Sequence, residues 1–357
     1  MIIMAAYISF QPSDFFKVLK YSYASAPNAI TGVGFEPDAL VIKSISGTSG
    51  GNNWYIGNTV TGSGESLRWN SNAGQQTSSD SVTSYDSDGF TLGADSGTGN
   101  VNMTGTNYVS YSWKAGTTSG IAGSPSITPT GYSFDQTAGI SVIQYEGTGS
   151  AATIPHGLGV KPDMAIIKNL DATQNWGVYN SGMVSNPWTK AIRINLDSAG
   201  ITSSGMWNDT EPTTELFTVG TESIVNGSGN TQVAWFFANK KGFSKIGAYD
   251  GNGNADGPYI FTGFRPAFLI LKNWDGSNNW TAFDSQRDLN GNPTDMAVNP
   301  NSSSAEFSET DGVDLLSNGF KIRESASWCN GSGESIMYAA FAEFPLVSSN
   351  SKAGVAR

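Results

Sequence analysis

One run of residues returns three times along this chain, and no other feature restricts its fold so far. GVGFEPDALVIKS occupies Gly32 to Ser44, GLGVKPDMAIIKN occupies Gly157 to Asn169, and GFRPAFLILKN occupies Gly263 to Asn273. Other landmarks keep the same order around it. A β-like run ending in Tyr comes first: KVLKY to Tyr21, SVIQY to Tyr145 and SKIGAY to Tyr249. Trp54, Trp176 and Trp280 follow in NNWYI, QNWGVY and NNWTAF. Phe90, Phe217 and Phe320 come next in SDGFTLG, ELFTVGT and SNGFKIR. The last element is an aromatic, alternating run: TNYVSYSWKAG, NTQVAWFFANKKG and SIMYAAFAEFP. A period of roughly 100 residues is too long for a solenoid unit and fits a complete small domain.

The local chemistry of each copy predicts strands. The residue before a proline is pushed into an extended conformation, and a proline at the start of a strand costs no ladder bond. Pro37 and Pro162 are placed in that way before ALVIK and MAIIK, as Pro266 is before AFLILK. Short apolar runs between turns read as strands covered on both faces. The Lys closing each run (Lys43, Lys168, Lys272) is expected to mark the exit into solvent. In TNYVSYSWK the residues Val109, Tyr111 and Trp113 share one face. Gly89 and Gly319 precede strands as a tight turn requires. The fold class expected is all-β: three tandem β-sandwich, jelly-roll-like domains of one repeated type. Trp54, Trp176 and Trp280 are expected to fill three separate sheet-on-sheet interiors.

The expected boundaries are an N-terminal docking arm at 1–16, repeats at 17–115, 139–242 and 243–347, a linker at 116–138 and a tail at 348–357. The linker is rich in Gly, Ser, Thr and Pro, and reads either as a linker or as an ordered extension laid on a neighbour. Charged residues are only 14% of the chain, and long helices need more of them on their solvent faces. The formal net charge of −11 disfavours nucleic-acid and anionic-membrane partners. No stretch reaches the roughly 18 consecutive apolar residues of a membrane-spanning helix. MIIMAAYISF lacks the basic start of a signal peptide. With Cys329 as the single cysteine, no intrachain disulfide can form, and folding in a reducing cytosol is possible.

Little in the sequence points to catalysis. His156 is the only histidine, so a Ser–His–Asp or Cys–His site would have to use it. It sits in the turn TIPHGLGV, where a structural role is expected. Cys329 has no basic partner in its vicinity along the chain and is expected to be inert. No HExxH, cysteine pair or Gly-rich phosphate loop is present, so no catalytic metal or other cofactor is expected. Two loops bear a weak likeness to calcium sites. DGNGNADG offers Asp250, Asn252, Asn254 and Asp256, but an EF-hand loop would have Gly at Ala255 and Glu at Phe261. DLNGNPTD offers Asp288, Asn290, Asn292 and Asp295. Turn chemistry explains both loops as well. Trp69, Trp188, Trp207 and Trp328 lie in polar loops, as glycan-stacking residues do, and are the candidate glycan contacts.

The motifs YISFQPSDFF (Tyr7 to Phe16), GVGFEPD, SDGFTLG, HGLGVKPDM, SKIGAYDGNGNADGP, TGFRPAFLILKN, LLSNGFKI and YAAFAEFP together resemble a family of tailed-phage virion proteins common among phages of marine bacteria. The similarity runs over almost the whole chain and brings no catalytic residues with it. It implies a non-enzymatic structural protein on the virion surface, assembled in the host cytoplasm. Its partners would be other capsid or tail proteins and a host-surface glycan or protein. A fibre or spike is the leading form, a capsid decoration protein the alternative, and a glycan-degrading enzyme with a carboxylate pair a third. Symmetric self-association, often trimeric, is implied in the same way. In the arm, Tyr7, Phe10, Phe15 and Phe16 are the candidate docking residues, able to enter a groove or extend a neighbour's sheet, or else to complete the first sandwich.

Overall fold

The structure is a computed structural model that describes residues 10–48, 50–96, 99–288 and 291–344. Strands dominate it, and its helices are single turns such as Ser223–Asn226 and Ser327–Asn330. The architecture is all-β, built from several sheet modules.

Three large antiparallel sheets share one four-strand order. In the first module the order is Phe16–Ser22, Thr106–Trp113, Ala39–Gly47 and Tyr55–Asn58. In the second, Ile140–Glu146, Thr231–Phe237, Met164–Asn169 and Gly177–Asn180 stand in the same places, with further strands on both edges. In the third they are Ser244–Asp250, Ser335–Phe341, Phe268–Asn273 and Thr281–Asp284. Against each lies a smaller sheet. Its constant element pairs Asn28–Thr31 with Gly89–Leu92, Ala152–Pro155 with Leu216–Val219, and Tyr259–Phe261 with Gly319–Ile322.

Period-two alternation sends the two faces of each large sheet to different destinations. Leu40 and Ile42 point to the first module's own interior with Phe90 and Leu92, whereas Val41 points the other way. Ala165 and Ile167 meet Phe217, and Leu269 and Leu271 meet Phe320. The opposite sets, among them Val41, Trp113, Ile166, Trp235, Ile270 and Phe341, come together in one core to which all three modules contribute. A small apolar cavity of about 40 Å³ lies there. Three separate interiors were expected, and this fourth, shared one is the main departure from that expectation. Its cause is visible in the strands: both alternating sets are apolar, and a module's small sheet covers only one of them. The second set is buried only by the other two modules. Trp54, Trp176 and Trp280 belong to this shared core rather than to the three outer ones.

The 116–138 segment is laid on its neighbours as ordered backbone. Gly131–Asp135 adds a strand to Ile140–Glu146, and the Ile127 amide donates to the Thr153 carbonyl at 3.0 Å. On the first module, the Asp38 carboxylate accepts from the Ala115 amide (2.8 Å) and the Ser133 hydroxyl (2.7 Å).

Candidate functional site

The residues with the most unusual chemistry sit where the modules meet. Lys43, Lys168 and Lys272 do not leave into solvent; all three are fully buried. Each ammonium donates to main-chain carbonyls from two modules. Lys272 reaches Gly276 O (3.1 Å) and Asn278 O (2.8 Å) in its own loop and Asp197 O (3.0 Å) in the second module. Lys168 reaches Asn169 O (2.9 Å), Gln174 O (2.9 Å) and Asn72 O of the first module (3.2 Å). Lys43 reaches Asn52 O and, at 2.9 Å, Ser303 O of the third. Burial pulls Lys43 down to about 7 and Lys168 and Lys272 to about 8. The carbonyls act the other way. An ammonium offers three donors and no acceptor, which matches the three oxygens around Lys168 and Lys272.

Three further contacts repeat beside each lysine. The Trp176 indole N–H is shared between Arg68 O and Ser71 O of the first module, both at 3.0 Å. Trp280 donates to Arg193 O of the second at 3.0 Å. Trp54 donates to Asn299 O (3.0 Å) and Ser302 O (3.1 Å) of the third. A reciprocal backbone bond runs from each contacted loop: Gln75 N to Leu170 O, Gly200 N to Trp274 O, and Glu306 N to Ile45 O. Within each module an asparagine fixes the Trp loop. Asn70, Asn195 and Asn301 each accept from the Trp amide at 3.0 Å. The second module thus grips the first, the third grips the second, and the first grips the third. This is the closed, heterologous arrangement of a threefold ring, made here within one chain.

Sequence reading missed these asparagines because they fall at uneven distances from their tryptophans: 16, 19 and 21 residues. It missed the lysines' role because one acceptor of each lies in another module, remote in sequence.

The closing seam, between first and third modules, carries additional charge. Tyr111 donates to Asp284 Oδ2 (2.8 Å), which also takes Arg287 Nε (2.5 Å). Both Asp284 and Arg287 side chains are fully buried. Burial opposes the guanidinium's charge, but Asp284 outweighs it and Arg287 stays well above the ordinary arginine range. Lys17 meets the buried Glu343 at 2.6 Å.

The predicted site residues are scattered. His156 is buried, with Nδ1 accepting from the Leu158 amide and Nε2 against Thr213 O, each at 3.2 Å. Burial pulls its imidazole down to about 4, and the Thr213 carbonyl resists only in part. Cys329 is buried, and burial pushes its thiol up. In the Asp250–Asp256 loop the weak calcium candidates take part in turn hydrogen bonds. Asn252 Oδ1 accepts from Asn254 N and Asn254 Oδ1 from Asp256 N, both at 2.9 Å. Asp256 pairs with Lys321 at 2.8 Å. Among the described residues no group of three His, Cys, Asp or Glu is placed to hold a metal. Asn290, of the second loop, lies outside the described residues, as does Tyr7 of the arm.

Of the other arm residues, Phe16 is core, and Phe10 and Phe15 pack on Phe243 at ring distances of 5.6 and 6.5 Å. Phe10 and Phe15 are half-buried there. Two of the four tryptophans proposed as glycan contacts are interior. Trp69, 7% exposed, packs on Trp54, and Trp207, 1% exposed, donates to Lys190 O. Their loops are polar because asparagines and hydroxyls cap them, while the rings turn inward. Trp188 and Trp328 are half-buried, the latter stacked on Phe283. Among the carboxylates, Glu309 is lifted by burial and then by its neighbour Glu324.

A different surface carries an open groove. Tyr23, 38% exposed, borders a groove of about 490 Å³ with Ser25, Thr48, Asn102, Met103 and Thr104. Asn102 is held rigid from behind, bonded to Ala24 O (3.0 Å), Gly93 O (2.9 Å) and the Asn28 side chain (3.0 Å). An aromatic face beside hydroxyls on a fixed frame suits a sugar ring, which offers apolar C–H faces and hydroxyl edges together.

A family model described as a domain of unknown function (DUF7483) matches residues 11–345. Comparison with curated proteins and with solved structures gives no match. This family match runs through all three modules and their connections, and by it the chain belongs to the DUF7483 family.

Proposed function

We propose that this protein is a non-enzymatic structural protein of a bacteriophage particle, exposed on the particle surface as a fibre- or spike-type appendage that contacts host glycans. In this reading the modules are three versions of one jelly-roll-like sandwich, assembled in the host cytoplasm without disulfides. The observation that carries it is how the buried polar side chains are used. Lys43, Lys168, Lys272 and the three seam tryptophans join modules to one another. His156 braces a turn. Such a chain gives its polar chemistry to rigidity and leaves its surface grooves for recognition. The resemblance further implies that whole chains associate symmetrically, often as trimers. The Tyr23 groove is the surface assigned to the glycan.

The alternative is a capsid decoration protein, favoured by the closed ring without a shaft or coiled coil among the described residues. Protein counting by mass spectrometry on purified particles tests both. Tens of copies per particle support an appendage and hundreds support decoration. Absence from particles, or release of reducing sugar from host polysaccharide by the pure protein, contradicts the proposal. For the appendage, Tyr23→Ala particles should adsorb more weakly to host cells; unchanged adsorption removes the groove from the account.

A further inference from the structure

The small sheet of the third module ends in a strand that, among the described residues, is open on one side. Tyr259–Phe261 pairs with Gly319–Ile322 through its even-numbered positions. Ile322 N donates to Pro258 O (3.1 Å), Ile260 stands opposite Phe320, and Thr262 N donates to Asn318 O (3.0 Å). Antiparallel pairing alternates, so the backbone N–H and C=O of Tyr259 and Phe261 face away from the sheet. Their side chains share the outer face, 45% and 63% exposed, while Ile260 fills the core.

The equivalent edges of the other modules are managed differently. Ile154 stands opposite Phe217 as Ile260 does opposite Phe320, which makes Thr153 the counterpart of Tyr259 and Pro155 that of Phe261. Thr153 is covered by the chain itself: its carbonyl accepts from Ile127 N (3.0 Å), and its amide donates to the Ser126 hydroxyl (2.7 Å). Pro155 removes the next outward donor, a known guard of sheet edges. The first module has the small Ala29 and Thr31 in these places. Among the described residues the third module has neither a covering segment nor a guard, and only a short connection precedes its first strand. It has two large aromatics instead.

We infer that this edge pairs with the same edge of a second copy of the chain, antiparallel, about a twofold axis at Ile260. The pattern is self-complementary. Tyr259 of one molecule comes opposite Phe261 of the other, each pair exchanging two backbone hydrogen bonds, with an aromatic cross-strand contact on the outer face. The acidic net charge does not oppose contact here. Lys321, opposite Tyr259, and Arg323 sit beside the edge, with Asp256 paired to Lys321 at 2.8 Å.

The test is sedimentation velocity on the full-length protein over a hundredfold concentration range, with wild type, Phe261→Pro and Phe261→Thr. Both replacements already stand at this register in the other two modules, so the fold should hold, and an unchanged thermal midpoint verifies that. Wild type is expected to shift from monomer to dimer, and each variant to raise the dissociation constant more than tenfold. A wild type that stays monomeric throughout overturns the inference, as does a dimer indifferent to both variants. A monomer that instead captures an unrelated extended peptide at this edge overturns the choice of partner. None of these outcomes bears on the particle-surface reading, which is decided on particles.

Discussion

His156 illustrates how a lone titratable residue acquires a structural role. Its ring is buried with one nitrogen accepting from Leu158 N and the other facing a carbonyl, an arrangement that only the neutral imidazole satisfies. Its folded value of about 4 lies below the usual 6.5. Between those values the unfolded chain binds more protons than the folded one. The stabilising contribution is therefore complete above about pH 6.5 and is lost as pH falls through about 4, a change of about 3 kcal/mol. Denaturant unfolding at several pH values should show this loss in wild type, and His156→Gln should flatten it. A wild-type slope retained in the variant would place the acid sensitivity elsewhere. The buried lysines teach the same lesson from the other side. An apolar run ending in Lys reads as a strand reaching water, because a long side chain commonly carries its charge to the surface. Lys168 and Lys272 find three carbonyls instead. Two of the three in each case come from the lysine's own loop, but the third, Asn72 O or Asp197 O, belongs to another module, and a local pattern cannot point to it.

At the scale of the strand, alternation was legible and its destination was not. Val109, Tyr111 and Trp113 read as one face, and they do share one. Nothing local says whether a second apolar face meets the module's own sheet or its neighbours. Trp69 and Trp207 show the same limit in loops. Asn and Ser around them suggested exposure, yet those side chains cap backbone while the rings enter cores. The seam contacts give a direct check. Trp176→Phe keeps most of the ring's bulk but withdraws a donor from Arg68 O and Ser71 O. It should cost about 1–3 kcal/mol in equilibrium unfolding, as leaving buried carbonyls unpaired does. Phe at Trp188, half-buried in its loop, should cost much less. Equal costs at the two positions would deny the seam its importance.

For the molecule as a whole, the repeat was legible as number and period, and the resemblance implied only that separate chains associate. The ring was not foreseen. Joining three modules in tandem is compatible with beads on a string, and only the shared core and the closing seam distinguish the two. That seam has no chain connection, and it holds the Tyr111–Asp284–Arg287 cluster, the Lys17–Glu343 pair and the packing of Phe16 on Phe341 at 5.6 Å. If one interior supports all three modules, none can unfold while the others stay folded. Scanning calorimetry of the full chain tests this most directly. A single transition, with calorimetric and van't Hoff enthalpies in agreement and with its midpoint lowered as a whole by Trp176→Phe, is the predicted result. Separate transitions for the modules, with only one of them moved by that substitution, would contradict it.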